Sequence, residues 1–304
     1  MAKLHGERRW LFLRMNAPKP FEVRGGRSTS ADLDFGWPEF DNFSQETIGR
    51  FRREFVEAAP FPHLVVDHLF PSGFLSLVEA GFEEMKDGDW QSYGHALQTK
   101  RGSRPNISLP SSVQAYFDRI YSGSFLRLLS KITNVPNLIP DPSLVNGGMH
   151  EVGPGGRFDI HVDFRRHPVL GFENRLVLIT YLNRNWPEAY GGALELWRQD
   201  PPACCKIVLP EFGRTIIMEH SARAAHGHPR PVKSPSEFPR RSVAAYFYTI
   251  GRDGRDEGLD ALSTTAYVKR PGRTAPQLLE LMAQQVLPPI ALSGLKALRR
   301  RGKM

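Results

Sequence analysis

The sequence predicts an α+β fold, a β core flanked by helices, on three observations. Residues 143–250 are a series of short β-like runs between Gly/Pro turns, with no helical spacing among them. Before them, apolar residues at Val113, Tyr116, Phe117, Ile120, Phe125, Leu128, Leu129 and Ile132 recur with a helical period. After 275 that period returns at Leu278, Leu279, Leu281, Met282 and Val286, until Pro288-Pro289 stops it. Many short strands without intervening helices imply a sandwich or barrel rather than a parallel sheet.

Residues 1–45 read as an N-terminal extension, partly disordered. They carry GGRSTS and little periodicity, although Phe35, Trp37, Phe40 and Phe43 offer an aromatic cluster for docking on the body. Residues 46–142 read as a helical support of the core. Within it, PFPHLVVDHLFP (60–71) carries a short strand, and PSGFLSLVEAGFEEM after it is a helix with Ser72 near its cap. Residues 89–111 have few periodic apolar positions and read as a long surface loop. Its part from Trp90 to Pro105 suits a lid, and Gln98, Lys100 and Arg101 there suit an anionic or polar substrate.

The β core spans 143–252. Its runs are Leu144–Val152, Phe158–Val162, Arg175–Asn183, Ala193–Trp197, Ile207–Leu209, Thr215–Glu219 and Ser242–Ile250. Residues 253–304 form a C-terminal helical segment with a basic tail, whose amphipathic helix offers a face to a second subunit.

Composition narrows the class. Gly 27 and Pro 25 in 304 residues, without a G-X-Y period, exclude collagen and low-complexity disorder. The net charge of +8 sits in the two ends: residues 1–30 and 294–304 each carry a net of +5, and the remaining 263 residues a net of −2. Solvated tails explain that distribution, and it argues against a nucleic-acid partner. No apolar run approaches the ~18–20 residues that span a bilayer. The N-terminal WLFLRM is too short for a secretory core and is interrupted by Arg14. Cys204 and Cys205 are adjacent, which excludes a disulfide framework and points to a reducing, cytoplasmic setting.

Three features of the β region carry chemistry. On a strand, positions i and i+2 share a face, so His161-Val162-Asp163 brings an imidazole and a carboxylate together. His226, in Ala225-His226-Gly227-His228-Pro229, follows 65 residues later. Two histidines and one carboxylate make the facial triad of non-haem Fe(II) sites, with positions left open for a cosubstrate and oxygen. Then comes Arg240-Arg241-Ser242-Val243-Ala244-Ala245-Tyr246-Phe247-Tyr248. Arg240, Ser242, Ala244 and Tyr246 share one face of that strand, and Arg241, Val243, Ala245 and Phe247 the other. An inward-facing Arg needs an anionic partner, and a carboxylate fits its planar fork.

The ordered set of H-x-D, His and Arg on short strands resembles the Fe(II)- and 2-oxoglutarate-dependent oxygenases, specifically the prolyl-4-hydroxylase-like branch. The stretches Arg175–Asn183 with Trp186, Gly191-Gly192-Ala193-Leu194-Glu195-Leu196, Pro210-x-Phe212-Gly213-Arg214 and His226-Gly227-x-Pro229 are similar to that branch. PFPHLVVDHLFP is similar to its entry strand. The resemblance covers about 143–250 and implies a double-stranded β-helix (jelly-roll) core flanked by helices. It further implies that His161, Asp163 and His226 ligate Fe(II), and that Arg240 and Tyr181 bind the distal carboxylate of 2-oxoglutarate. Arg241 is the alternative to Arg240, and His228 the alternative to His226.

The implied cofactors are Fe(II), 2-oxoglutarate and O2, with ascorbate as an accessory reductant. The implied reaction hydroxylates a C–H of an amino-acid, peptide or small-metabolite substrate and releases succinate and CO2. Asp163 matters to that outcome, because related halogenases carry a small residue in its place. Desaturation and epimerisation remain variants of the same chemistry.

Other residues read more simply. His150 and His167 read as surface or supporting residues, His220 as a core histidine, and Trp186 and Trp197 as packing. Arg165 and Arg166 read as solvated side chains near the cavity mouth, and Gly153-x-Gly155-Gly156 as a turn. Two other classes remain: a silent β-helix binding module with basic tails on nucleic acid or ribosome, and a cupin-like metal site without 2-oxoglutarate.

Overall fold

The computed structural model describes residues 39–250, 265–268 and 270–286. The readings at Phe35, Trp37, GGRSTS, Pro288-Pro289 and both basic ends lie outside those residues.

In chain order the elements are α1 (Gln45–Val56), β1 (His63–Asp67), α2 (Ser72–Ala80), β2 (Trp90–His95), β3 (Gln98–Ser103), α3 (Ser111–Ile120) and α4 (Gly123–Thr133). There follow β4 (Ile139–Pro140), β5 (Gly148–Val152), β6 (Arg157–Val162), β7 (Glu173–Tyr181), β8 (Leu194–Gln199), β9 (Pro202–Val208) and β10 (Arg214–Glu219). The chain continues with β11 (Ala225–His228), β12 (Arg240–Thr249), β13 (Ala266–Tyr267) and α5 (Ala275–Val286). The strands form a curled antiparallel sheet in the order β1-β10-β7-β12-β5-β3-β6-β11-β8-β9, with β2, β4 and β13 appended to β3, β12 and β6. This is a jelly-roll core with helices against it.

Strand alternation divides the molecule into a helix-facing and a site-facing side. Leu176 and Leu178 of β7 and Val243, Ala245 and Phe247 of β12 pack with Ile48, Phe51 and Phe55 of α1, Val113 and Phe117 of α3, and Phe125 and Leu129 of α4. Each such side chain, fully buried, contributes about 1.5–3 kcal/mol. The intervening residues, Val177, Ile179 and Tyr181 on β7 and Arg240, Ser242, Ala244 and Tyr246 on β12, line a cleft on the other side. One hydroxyl chain ties the layers: Thr180 bonds both Tyr116 and Thr215 at 2.8 Å.

One expectation changes and two gain detail. Residues 89–111 are not a surface loop: β2 and β3 form a hairpin, and β3 bridges β5 and β6. Polar side chains hid these strands, whose pairing is with segments some fifty residues distant. The 112–134 pattern is two helices, because Ser122 turns extended and accepts the Phe125 N–H, capping α4. On α5, Gln277 and Glu280 are buried while Leu278, Leu279 and Met282 are exposed, so its apolar side faces outward. Ser44 caps α1 by accepting the Thr47 N–H.

The C-terminal segment is strapped to the core through one carboxylate. Asp159 on β6 is fully buried and pairs with Arg270 and with Arg273, the latter at 2.9 Å. Just before them in the chain, β13 pairs with β6, with Tyr267 opposite His161. Removing one member of a buried ion cluster strands the rest, at about 3–5 kcal/mol. Asp159→Asn is therefore expected to lower the melting temperature and to raise amide exchange first in 265–286. Unchanged exchange there would mean that Asp159 does not hold the strap.

Candidate metal and cosubstrate site

β6 and β11 pair so that His161 lies directly opposite His226, with ring centroids 4.6 Å apart. Gly227 permits that register. A Cβ there would stand 2.7 Å from the Asp159 carbonyl oxygen and 2.8 Å from that of Phe158, so only glycine fits. Asp163 follows the end of β6 on the His161 face. The Nε2 atoms of His161 and His226 stand 3.1 and 3.6 Å from its carboxylate, and all three side chains are buried.

The backbone sets the tautomers. His161 Nδ1 lies 2.7 Å from the Asp159 carbonyl and His226 Nδ1 2.9 Å from the Ala224 carbonyl. A carbonyl only accepts, so each Nδ1 carries the hydrogen and each Nε2 turns a lone pair toward Asp163. His161 Nε2 has no hydrogen-bond partner although it is buried. Ligand atoms of the three residues fit within 4.8 Å of one another. For Asp163, burial disfavours ionisation, but the imidazoles of His161, His220 and His226 hold its carboxyl well below the ordinary range. For His226, burial pulls the pKa down and Asp163 overrides it upward, so a proton competes with a metal for that Nε2.

Two residues complete the surroundings of Asp163. The Tyr246 hydroxyl donates to Oδ2 at 2.9 Å, and His220 Nε2 lies 3.4 Å from the same atom. Tyr246 shares a strand face with Arg240, a relation visible in the sequence but used there only to set register. His220 lies far from the motif in sequence, and nothing local marks it.

Farther along the cleft, Arg240 is buried and has no carboxylate partner among the described residues. Its Nε donates to the Gly192 carbonyl at 2.7 Å, and its guanidinium lies 5.0 Å from the Tyr181 ring centroid. The Tyr181 hydroxyl is buried with no hydrogen-bond partner. Burial raises its pKa, with Arg240 acting in the opposite direction. Arg241 points to the other face, where it pairs with Glu151 at 2.9 Å and Glu83 at 2.7 Å.

The remaining candidates disperse. His228 and His150 line the same cleft outside the triad, and burial holds both well below the usual imidazole range. His167 is buried, 3.3 Å from Asp141, and its Nδ1 accepts from Val169 and Leu170. Arg165 is buried, unlike the solvated side chain the sequence suggests, and Arg166 reaches Glu173 at 3.9 Å. Trp186 and Trp197 donate to the Gly191 carbonyl and to Glu195, each at 2.9 Å. Of the hairpin residues, Lys100 enters the cleft, while Arg101 is held by Glu151 at 2.6 Å.

Residues 147–248 match the family model described as the 2OG-Fe(II) oxygenase superfamily. Among curated proteins none matches. A Pseudomonas putida prolyl-4-hydroxylase is similar at TM-score 0.48 and 14% identity, over 67% of this chain and 100% of its own. A Trichoplax adhaerens prolyl hydroxylase, in complex with a hypoxia inducible factor peptide, is similar at 0.48 and 13%, over 68% and 94%. HygX from Streptomyces hygroscopicus, with nickel, 2-oxoglutarate and hygromycin B bound, is similar at 0.45 and 13%, over 74% and 97%.

Proposed function

We propose, from the match of residues 147–248 to the model of the 2OG-Fe(II) oxygenase superfamily, that this chain is an oxygenase of that kind and hydroxylates an unactivated C–H of an amino-acid, peptide or small-metabolite substrate. The chain is an Fe(II)- and 2-oxoglutarate-dependent dioxygenase, using O2. In this reading His161, Asp163 and His226 hold the iron, and Arg240 and Tyr181 receive the distal carboxylate of 2-oxoglutarate. Residues 143–252 are the catalytic core, with 46–142 supporting it and 253–304 following it. The free, exposed thiols of Cys204 and Cys205 suit a reducing compartment, and the reading places the enzyme in the cytoplasm. Among the described residues no helix is long and apolar enough to cross a membrane.

The observation that carries the reading is the convergence of the His161 and His226 Nε2 atoms on Asp163, in one cleft with the buried Tyr181 hydroxyl and with Arg240, which has no carboxylate partner among the described residues. Two imidazoles and one carboxylate suit Fe(II) and leave positions for other ligands. Bound there, the iron supplies oxygen activation coupled to conversion of 2-oxoglutarate to succinate and CO2. The chain's own residues would hold the ligands in place: Tyr246 and His220 fix the Asp163 carboxylate, and backbone carbonyls fix both imidazoles.

Anaerobic addition of Fe(II) and then 2-oxoglutarate is expected to give the weak visible charge-transfer band of the chelated cosubstrate. His161→Ala should lose the band. Bound metal without a band in the wild type would favour a cupin-like site, and no metal binding at all would leave a binding module.

A further inference from the structure

Lys100 sits where neither the iron ligands nor the 2-oxoglutarate pair need it. It projects from β3 over the rings of Phe158, 4.7 Å from the centroid, and Tyr93, at 5.7 Å. The Phe158 ring is itself stacked 3.7 Å from that of His161. The ammonium is therefore one aromatic ring removed from the triad. It makes no ion pair or hydrogen bond among the described residues, and burial pushes its pKa down to about 8.

Two adjoining clefts meet at this side chain. One runs to Arg240 and Tyr181. The other opens from Asp163 and Tyr246 toward Gln91, Gln98, Ser103 and Asn146. The second cleft has only two charged residues in its lining, Lys100 and Asp163. Its neutral amides and hydroxyl suit a polar molecule distinct from the cosubstrate.

A charge count separates the roles. With the site loaded, the positive charges of Fe(II) and Arg240 are matched by Asp163 and the two carboxylates of 2-oxoglutarate. Among the described residues lining the second cleft, Lys100 is then the charge left unmatched, beside the triad. An unmatched charge in such surroundings is costly until it meets an opposite one. A monoanion restores balance; a phosphate dianion overshoots it.

We propose that the primary substrate carries a carboxylate, bound by Lys100 in the second cleft, with its reacting C–H turned toward the triad. The proposal rests on the dioxygenase reading above and adds the chemical class of its substrate. Lys100 is a specificity-determining residue that places the substrate and takes no part in decarboxylation.

N-Acetylglycine and its neutral amide are the probes, titrated anaerobically into protein loaded with Fe(II) and 2-oxoglutarate. N-Acetylglycine is expected to perturb the charge-transfer band saturably, and the amide not to. Lys100→Met should weaken that response at least about tenfold, while leaving the 2-oxoglutarate midpoint within about twofold. Lys100→Arg should retain most of it. A response that survives in Lys100→Met, an equal response to the amide, or none in the wild type overturns the proposal. So does a tenfold loss of 2-oxoglutarate affinity in Lys100→Met, which would assign the lysine to the cosubstrate. A wild type without any band is instead the failure of the dioxygenase reading, and the proposal falls with it.

Discussion

Asp163→Ala is expected to end 2-oxoglutarate turnover, with a loss well beyond the ~10–100-fold that removal of a residue merely supporting a metal ligand costs. The expectation follows from position: Asp163 is the one carboxylate facing His161 and His226, and its lost charge leaves two neutral imidazoles to hold a dication. Stability should move differently from activity. In the metal-free protein Asp163 accepts from the Tyr246 hydroxyl and lies against the imidazoles of His161, His220 and His226, which favour its charged form despite burial. The alanine strips the Tyr246 hydroxyl of its acceptor, at about 1–3 kcal/mol, whereas Asp163→Asn keeps an acceptor oxygen there. Asp163→Asn should therefore melt below the metal-free wild type but above Asp163→Ala, and gain nothing when Fe(II) is added. Succinate release and melting curves with and without metal check both halves. Turnover within about tenfold of wild type, or an intact metal-induced rise in melting temperature, would remove Asp163 from the ligand set.

The parts of the site that the sequence reveals are those encoded within single strands. H-x-D needs only the two-residue period of β6, and the split between Arg240 and Arg241 needs only that of β12, which in the fold separates the cleft from Glu83 and Glu151. What the sequence leaves hidden depends on pairing across distance. The β2–β3 hairpin has no apolar alternation because one side lines a polar cleft and the other meets solvent, so its Gln98, Thr99 and Lys100 read as loop. The contact of His220 with Asp163 depends on the end of β10 meeting the end of β6. α1 is a different case: Ile48, Phe51 and Phe55 do keep helical spacing, but arginines and glutamates between them dilute the pattern.

Arg240→Met should raise the concentration of 2-oxoglutarate needed for half-maximal band intensity by about 30-fold or more, the equivalent of truncating one partner of a buried charge pair. Arg240→Lys should recover only part of that, because an ammonium lacks the planar fork that matches a carboxylate. The neighbouring Arg241→Met supplies the control with the opposite signature. It breaks the links to Glu151 and Glu83, so it should lower the melting temperature while leaving the 2-oxoglutarate midpoint within about twofold. Arg240→Met forfeits its hydrogen bond to the Gly192 carbonyl but also removes a buried cation that has no carboxylate partner in the cosubstrate-free protein. Burial already depresses its pKa, the sign of a charge held at a cost. Its effect on melting should accordingly be smaller than that of Arg241→Met, and addition of 2-oxoglutarate should stabilise the wild type more than the variant. The two arginines are adjacent in sequence but lie on opposite faces of one strand, so affinity and stability should separate cleanly between them. If both variants lost stability alike and neither lost affinity, the distal carboxylate would have to lie elsewhere in the cleft.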